Sequence, residues 1–153
     1  MINIKKITII ISFLLLLSCG YKPIFSSSKA NFSITKIKLL NESNIESKIK
    51  NNLKVFQNIE NKSIFYSLEI HSDQKKDIIT KDAKGDPKIF EMKISVDLTV
   101  LENNKIKHKK KFIESFTYNN STNKFDLRQY EKHIESNLIK KINTKITLYL
   151  YSI

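Results

Sequence analysis

The most regular stretch of the chain runs over residues 89–100, where Phe90, Met92, Ile94, Val96, Leu98 and Val100 alternate with Glu91, Lys93, Ser95, Asp97 and Thr99. A period of two places one set on a core face and the other in water, so the segment predicts a half-buried strand. Glu102-Asn103-Asn104-Lys105 follows and predicts a hairpin turn, because asparagine tolerates the left-handed backbone of tight turns. The returning strand, 106–118, carries Phe112, Phe116 and Tyr118 on one parity.

Upstream, Phe32 and Ile34 share one face of a strand over 32–40 whose phase becomes less clear towards Leu40. Ser43-Asn44-Ile45-Glu46 fits a capping box, with the Ser43 hydroxyl accepting from the Glu46 N–H and the Glu46 carboxylate returning to the Ser43 N–H. Ile45, Ile49, Leu53 and Phe56 then predict a short amphipathic helix over 44–56. Ile64, Tyr66, Leu68 and Ile70 alternate with Phe65, Ser67, Glu69 and His71, a second half-buried strand, whereas 73–87 is polar, contains Gly85-Asp86-Pro87 and predicts a mobile loop. Near the end, Asp126-Leu127-Arg128-Gln129 fits another capping box. Tyr130, Ile134, Leu138, Ile142, Ile146 and Leu150 then form an apolar stripe at four-residue intervals on a long helix, whose β-branched last turns can fray or extend.

The order strand, helix, strand, strand, strand, helix predicts an α+β fold. About four strands form a mostly antiparallel sheet with two helices packed on one face.

The first residues have a different layout. Lys5 and Lys6 precede an apolar run over 7–17, broken only by Thr8 and Ser12, and the run ends at the only cysteine of the chain, Cys19. Eleven residues fall short of the roughly 20 that a spanning helix needs, so the run reads as an export signal. Leu16-Leu17-Ser18-Cys19 resembles the lipobox of bacterial lipoproteins. That resemblance implies diacylglyceryl attachment to Cys19, cleavage after Ser18 and acylation of the new amino terminus; the alternative is an ordinary secretory signal with a chance cysteine. Several acyl chains on one residue anchor stably, where a single chain binds only marginally. The organisation expected is a lipoprotein signal peptide over 1–18, a lipidated N-terminus and tether over 19–30, and a single folded domain over 31–153.

Removing 18 of 153 residues leaves 135, enough for one domain with a sizeable core, and lipidation of Cys19 leaves no thiol for a disulfide. The remaining 25 basic and 15 acidic residues give +10. Such a balance suits nucleic acid, anionic membrane or another acidic partner. The abundance of Lys, Asn and Ile and scarcity of Gly and Pro, however, match the bias of an AT-rich genome. An export signal argues against a nucleic-acid partner. Acidic partners at the membrane remain.

Catalytic groupings are sparse. His71, His108 and His133 lie far apart in sequence, without metal-ligand spacing, and Gly20 and Gly85 are the only glycines, which excludes a Gly-rich phosphate loop. The expectation is a non-enzyme without catalytic residues, metal or cofactor. One charged feature stands out: Lys107, Lys109 and Lys111 share one face of an extended strand at roughly 6.6 Å spacing, a candidate contact for the phosphates of an anionic lipid. Lysines on a strand also guard a sheet edge against aggregation, and that reading competes.

The start after the lipobox, Cys19-Gly20-Tyr21-Lys22-Pro23-Ile24-Phe25, resembles the mature start of the LptE family of lipopolysaccharide-assembly lipoproteins. The downstream order also resembles that family: a long alternating strand, a hairpin, a strand ending in ESFTYNNSTNKFD, then the amphipathic YEKHIESNLIKKINTKITLYL. The resemblance implies an outer-membrane lipoprotein, lipid-anchored with its domain in the periplasm or a barrel lumen. It would bind the LptD β-barrel translocon and help deliver lipopolysaccharide to the cell surface. Gly20, where an aspartate would signal inner-membrane retention, fits the outer membrane by the same analogy. A generic structural lipoprotein and a periplasmic small-ligand carrier are the alternatives.

Overall fold

A computed structural model describes residues 30–153; the signal-peptide, Cys19 and tether expectations fall on residues 1–29, outside the described residues. The elements are β1 (Phe32–Leu39), α1 (Asn44–Leu53) with a 3-10 turn (Lys54–Phe56), β2 (Ile64–Lys81), β3 (Pro87–Glu102), β4 (Lys105–Asn119) and α2 (Lys124–Ser152). The strands form one sheet in the order β1-β2-β3-β4. β1 and β2 are parallel, the other two pairs antiparallel. A parallel neighbour demands a crossover, and α1 with its 3-10 turn supplies it. The expected α+β domain is therefore present, with both helices over one sheet face.

The core lies between that face and the helices. Phe90, Met92, Ile94, Val96, Leu98 and Val100 of β3 are all buried, as are Ile134, Leu138, Ile142, Ile146 and Leu150 of α2. Aromatic rings close the end where β1 begins: Phe32 lies 5.5 Å from Phe56 and 5.7 Å from Tyr151, centroid to centroid. The blurred phase of the first strand has a local cause. Register shifts between Ile34 and Lys36, so Phe32 and Ile34 face inward before the bulge and Ile37 faces inward after it. Asn103 and Asn104, at φ 52° and 61°, form the predicted tight turn between β3 and β4.

Four local expectations need correction. Residues 73–81 are not a loop: β2 continues to Lys81, paired with β3 as far as Lys81↔Pro87. Their side chains are exposed on both faces, so backbone pairing holds a strand that has no apolar alternation. Only 82–86 turns the chain, where the Asp82 carboxylate accepts from the Lys84 and Asp86 N–H groups, both at 2.9 Å.

The second correction concerns the N-terminus of α2, which is capped by Asn123. Its Oδ1 accepts from the Phe125 and Asp126 N–H groups, and its Nδ2 donates to the Asp126 carboxylate at 2.7 Å. Third, only half of the capping box at α1 forms. Ser43 Oγ accepts from Glu46 N–H at 3.1 Å, but the Glu46 carboxylate accepts from Asn41 N–H at 3.1 Å and Ser72 N–H at 2.8 Å. Fourth, Tyr130 and Phe116, which share the spacing of core residues, stand 46% and 42% exposed.

Asn143 of α2 is buried at the seam with α1, and among the described residues neither polar atom of its amide has a hydrogen-bond partner. Leaving such a group unpaired costs about 1–3 kcal/mol. Asn143→Leu is expected to raise stability by about 1 kcal/mol, read as a higher urea midpoint with an unchanged slope. A lower midpoint would contradict that account.

Candidate functional site

Of the lysine row, Lys109 and Lys111 lie on the sheet face turned away from the helices, the parity opposite to buried Phe112. Lys109 sits opposite Thr99 and Lys111 opposite Asp97, while Lys107 occupies a bulge where the β3–β4 register shifts. Two members are already paired: Lys107 Nζ with Glu102 at 2.9 Å and Lys111 Nζ with Asp97 at 3.3 Å. The hydrogen bond and charge of Glu102 raise the Lys107 pKa. Lys109 has no ion pair among the described residues, and Lys110 projects to the other face, opposite Leu98. β4 is an edge strand, so the row also stands where lysines discourage edge-to-edge pairing. Lys109 and Lys111 thus share a face beside Thr99 and Asp97, the bulge turns Lys107 towards Glu102, and ion pairs neutralise Lys107 and Lys111 in part.

The helix side of β4 carries a feature that sequence reading missed. A cleft of about 390 Å³ opens between β4 and α2, with Phe116 on one wall, Tyr130 on the other, and Ile134 and Leu138 beneath. His133, Asn137 and Thr144 place polar groups within it, Lys140 and Lys141 stand at its rim, and its lining holds no carboxylate. The signal available in sequence was the parity of Phe116 with buried Phe112 and Tyr118. That parity gives the face but not its cover, because α2 shields Phe112 and Tyr118 and leaves Phe116 half open.

Behind Tyr130, a polar clamp ties three elements together. Glu131 Oε1 on α2 accepts from Tyr118 Oη of β4 at 2.7 Å and from Lys76 Nζ of β2 at 2.6 Å. The Lys76 ammonium also lies 4.1 Å from the Phe90 ring centre. Burial pushes the Tyr118 hydroxyl pKa up, and its hydrogen bond to Glu131 adds to the rise. For Glu131, burial acts upward, yet the hydrogen bonds from Lys76 and Tyr118 and the lysine charges together hold its carboxyl below the ordinary range. A carboxylate lowered on folding stabilises above its unfolded pKa, about 4.3, and that contribution disappears as pH falls through the lowered value. Glu131→Gln should therefore lose about 1 kcal/mol at pH 7. The gap to the unaltered protein should close towards pH 3 in denaturant titrations, and a pH-independent gap would contradict this origin.

The histidines do not converge. His71 pairs in register with Asp97 on the sheet, His108 meets Tyr149 edge-on at 6.3 Å, and His133 lines the cleft. Among the described residues no group of three or more His, Cys, Asp or Glu side chains is placed to hold a metal ion. No helix among them is long and apolar enough to cross a membrane.

No protein-family model matches the sequence, and no curated protein matches it either. Solved structures do match the fold. A minor lipoprotein from Acinetobacter baumannii superposes with a TM-score of 0.61 at 12% identity, over 85% of this chain and 94% of that one. An uncharacterized lipoprotein B from Nitrosomonas europaea gives 0.62 at 16% identity, over 87% of this chain and 91% of that one. At such identities the likeness is one of fold: the described domain has the α+β architecture found in these bacterial lipoproteins.

Proposed function

We propose that this chain is an outer-membrane lipoprotein, acylated at Cys19, that assists an LptD-type β-barrel translocon in delivering lipopolysaccharide to the cell surface. The observation that carries the reading is the conjunction of two independent features. A lipobox followed by Gly20-Tyr21-Lys22-Pro23 precedes the domain, and the domain itself has a fold found in solved lipoproteins. The role is one of binding and assembly rather than catalysis, with no cofactor and no nucleic acid. Depletion tests it: the barrel should accumulate poorly folded and surface lipopolysaccharide should fall. A carrier of small ligands or a purely structural lipoprotein would spare both.

Within that reading, Lys107, Lys109 and Lys111 form the surface offered to lipopolysaccharide phosphates. Their exposure on one edge strand supports the role, and the ion pairs of Lys107 and Lys111 can be exchanged for ligand anions because both lie at the surface. Replacing all three by glutamine should weaken binding to lipopolysaccharide vesicles roughly tenfold at low salt, with no measurable change in thermal stability. Unchanged binding would remove the row from the contact and leave it the edge-guarding role.

A further inference from the structure

We infer that the cleft between β4 and α2 seats an apolar side chain of a partner polypeptide whose neighbouring residues are acidic. Exposed aromatic walls over an apolar floor form the kind of pocket that accepts an anchor residue at a protein interface. Phe116 and Tyr130 are half open in a domain that buries its other β4 aromatics, Phe112 and Tyr118. The surround selects the partner by charge. Lys140 and Lys141 stand at the rim, the lining has no carboxylate, and the nearby Glu114 is taken by Lys145. Carboxylates flanking an inserted side chain would meet cations on arrival.

A polypeptide suits the lining better than an acyl chain does. Beside Thr144, whose hydroxyl already donates to Lys140 O, His133 and Asn137 offer donors and acceptors among the apolar walls. A peptide backbone can satisfy them, whereas a hydrocarbon chain would bury them unpaired at a cost.

This placement rests on the translocon reading, since it assigns the protein contact of that reading to one surface. The test uses full-length tagged protein in its own cells and compares Asn137→Trp, which fills the cleft from an exposed position, with a Lys140→Glu/Lys141→Glu double variant and with Glu60→Trp in the exposed loop before β2, outside both the cleft and the lysine surface. Each cleft variant should cut recovery of the large β-barrel protein about tenfold or more, Glu60→Trp should not, and all three should melt as the unaltered protein does. A photocrosslinking residue at 137 should form an adduct with that barrel protein. Undiminished barrel recovery from both cleft variants would overturn the placement and leave the translocon reading standing, as would equal loss from Glu60→Trp. Absence of the barrel from the unaltered protein would overturn the translocon reading, and the placement with it. An adduct to glycolipid alone would replace the polypeptide by an acyl chain.

Discussion

Glu46→Ala is expected to destabilise the domain by about 3 kcal/mol, a large share of the stability of a chain this size. The carboxylate is fully buried, and its two oxygens serve different segments. Oε2 accepts from Asn41 N–H just after β1, and Oε1 accepts from the N–H and the hydroxyl of Ser72 within β2. Here β2 loses β1 as a neighbour, since the parallel register ends at Leu39↔Ile70. Alanine leaves the buried Ser72 N–H and the part-buried Asn41 N–H without this acceptor and opens a void at the start of α1. Glutamine keeps one acceptor oxygen but turns an NH2 group towards a donor, so Glu46→Gln should lose less than alanine and more than nothing. Urea unfolding at neutral pH measures both variants. A loss below about 0.5 kcal/mol for alanine, the scale of an ordinary surface substitution, would contradict the role given to this residue.

Cys19→Ala is expected to abolish lipidation completely. Without a thiol no diacylglyceryl group can be attached, and the prepared cleavage after Ser18 does not take place. Burial of acyl chains contributes about 0.8 kcal/mol per CH2, so on the proposed reading the variant would also lose its membrane anchor. The precursor should persist, heavier by its signal segment and unlabelled by radioactive palmitate. Normal processing of the variant would show that the cysteine stands after an ordinary secretory signal.

How legible the fold is in the sequence depends on what holds each element. β3 declares itself because one face is core and the other is wet, so burial writes a period of two into the side chains. The outer half of β2 is held by backbone bonds to β3 and by the Lys76 ammonium on Glu131 and Phe90, with no buried apolar face. Its side chains carry no such record, and Asp73, Lys75, Lys76 and Asp77 read as loop. The start of α2 is ambiguous for a related reason. Asn123 and Asp126 are both good caps, and the one used is decided by where the chain leaves β4 at Asn119, with the Asn120 side chain tied to Pro87 O at 2.7 Å. Part of the candidate site was legible too. Strand parity relates Lys109 and Lys111, but the bulge at Lys107 and the partners Glu102 and Asp97 depend on hairpin register. The cleft was not legible, because Phe116 and Tyr130 carry the same signature as buried residues and only the docking of α2 on β4 separates them.

The translocon role itself is most directly tested by affinity purification of the tagged full-length protein in mild detergent, followed by mass spectrometry of the proteins and lipids that come with it. The account predicts a large outer-membrane β-barrel protein in stoichiometric amount, accompanied by lipopolysaccharide. Recovery of the acylated protein alone, under conditions that keep other outer-membrane complexes intact, would contradict it.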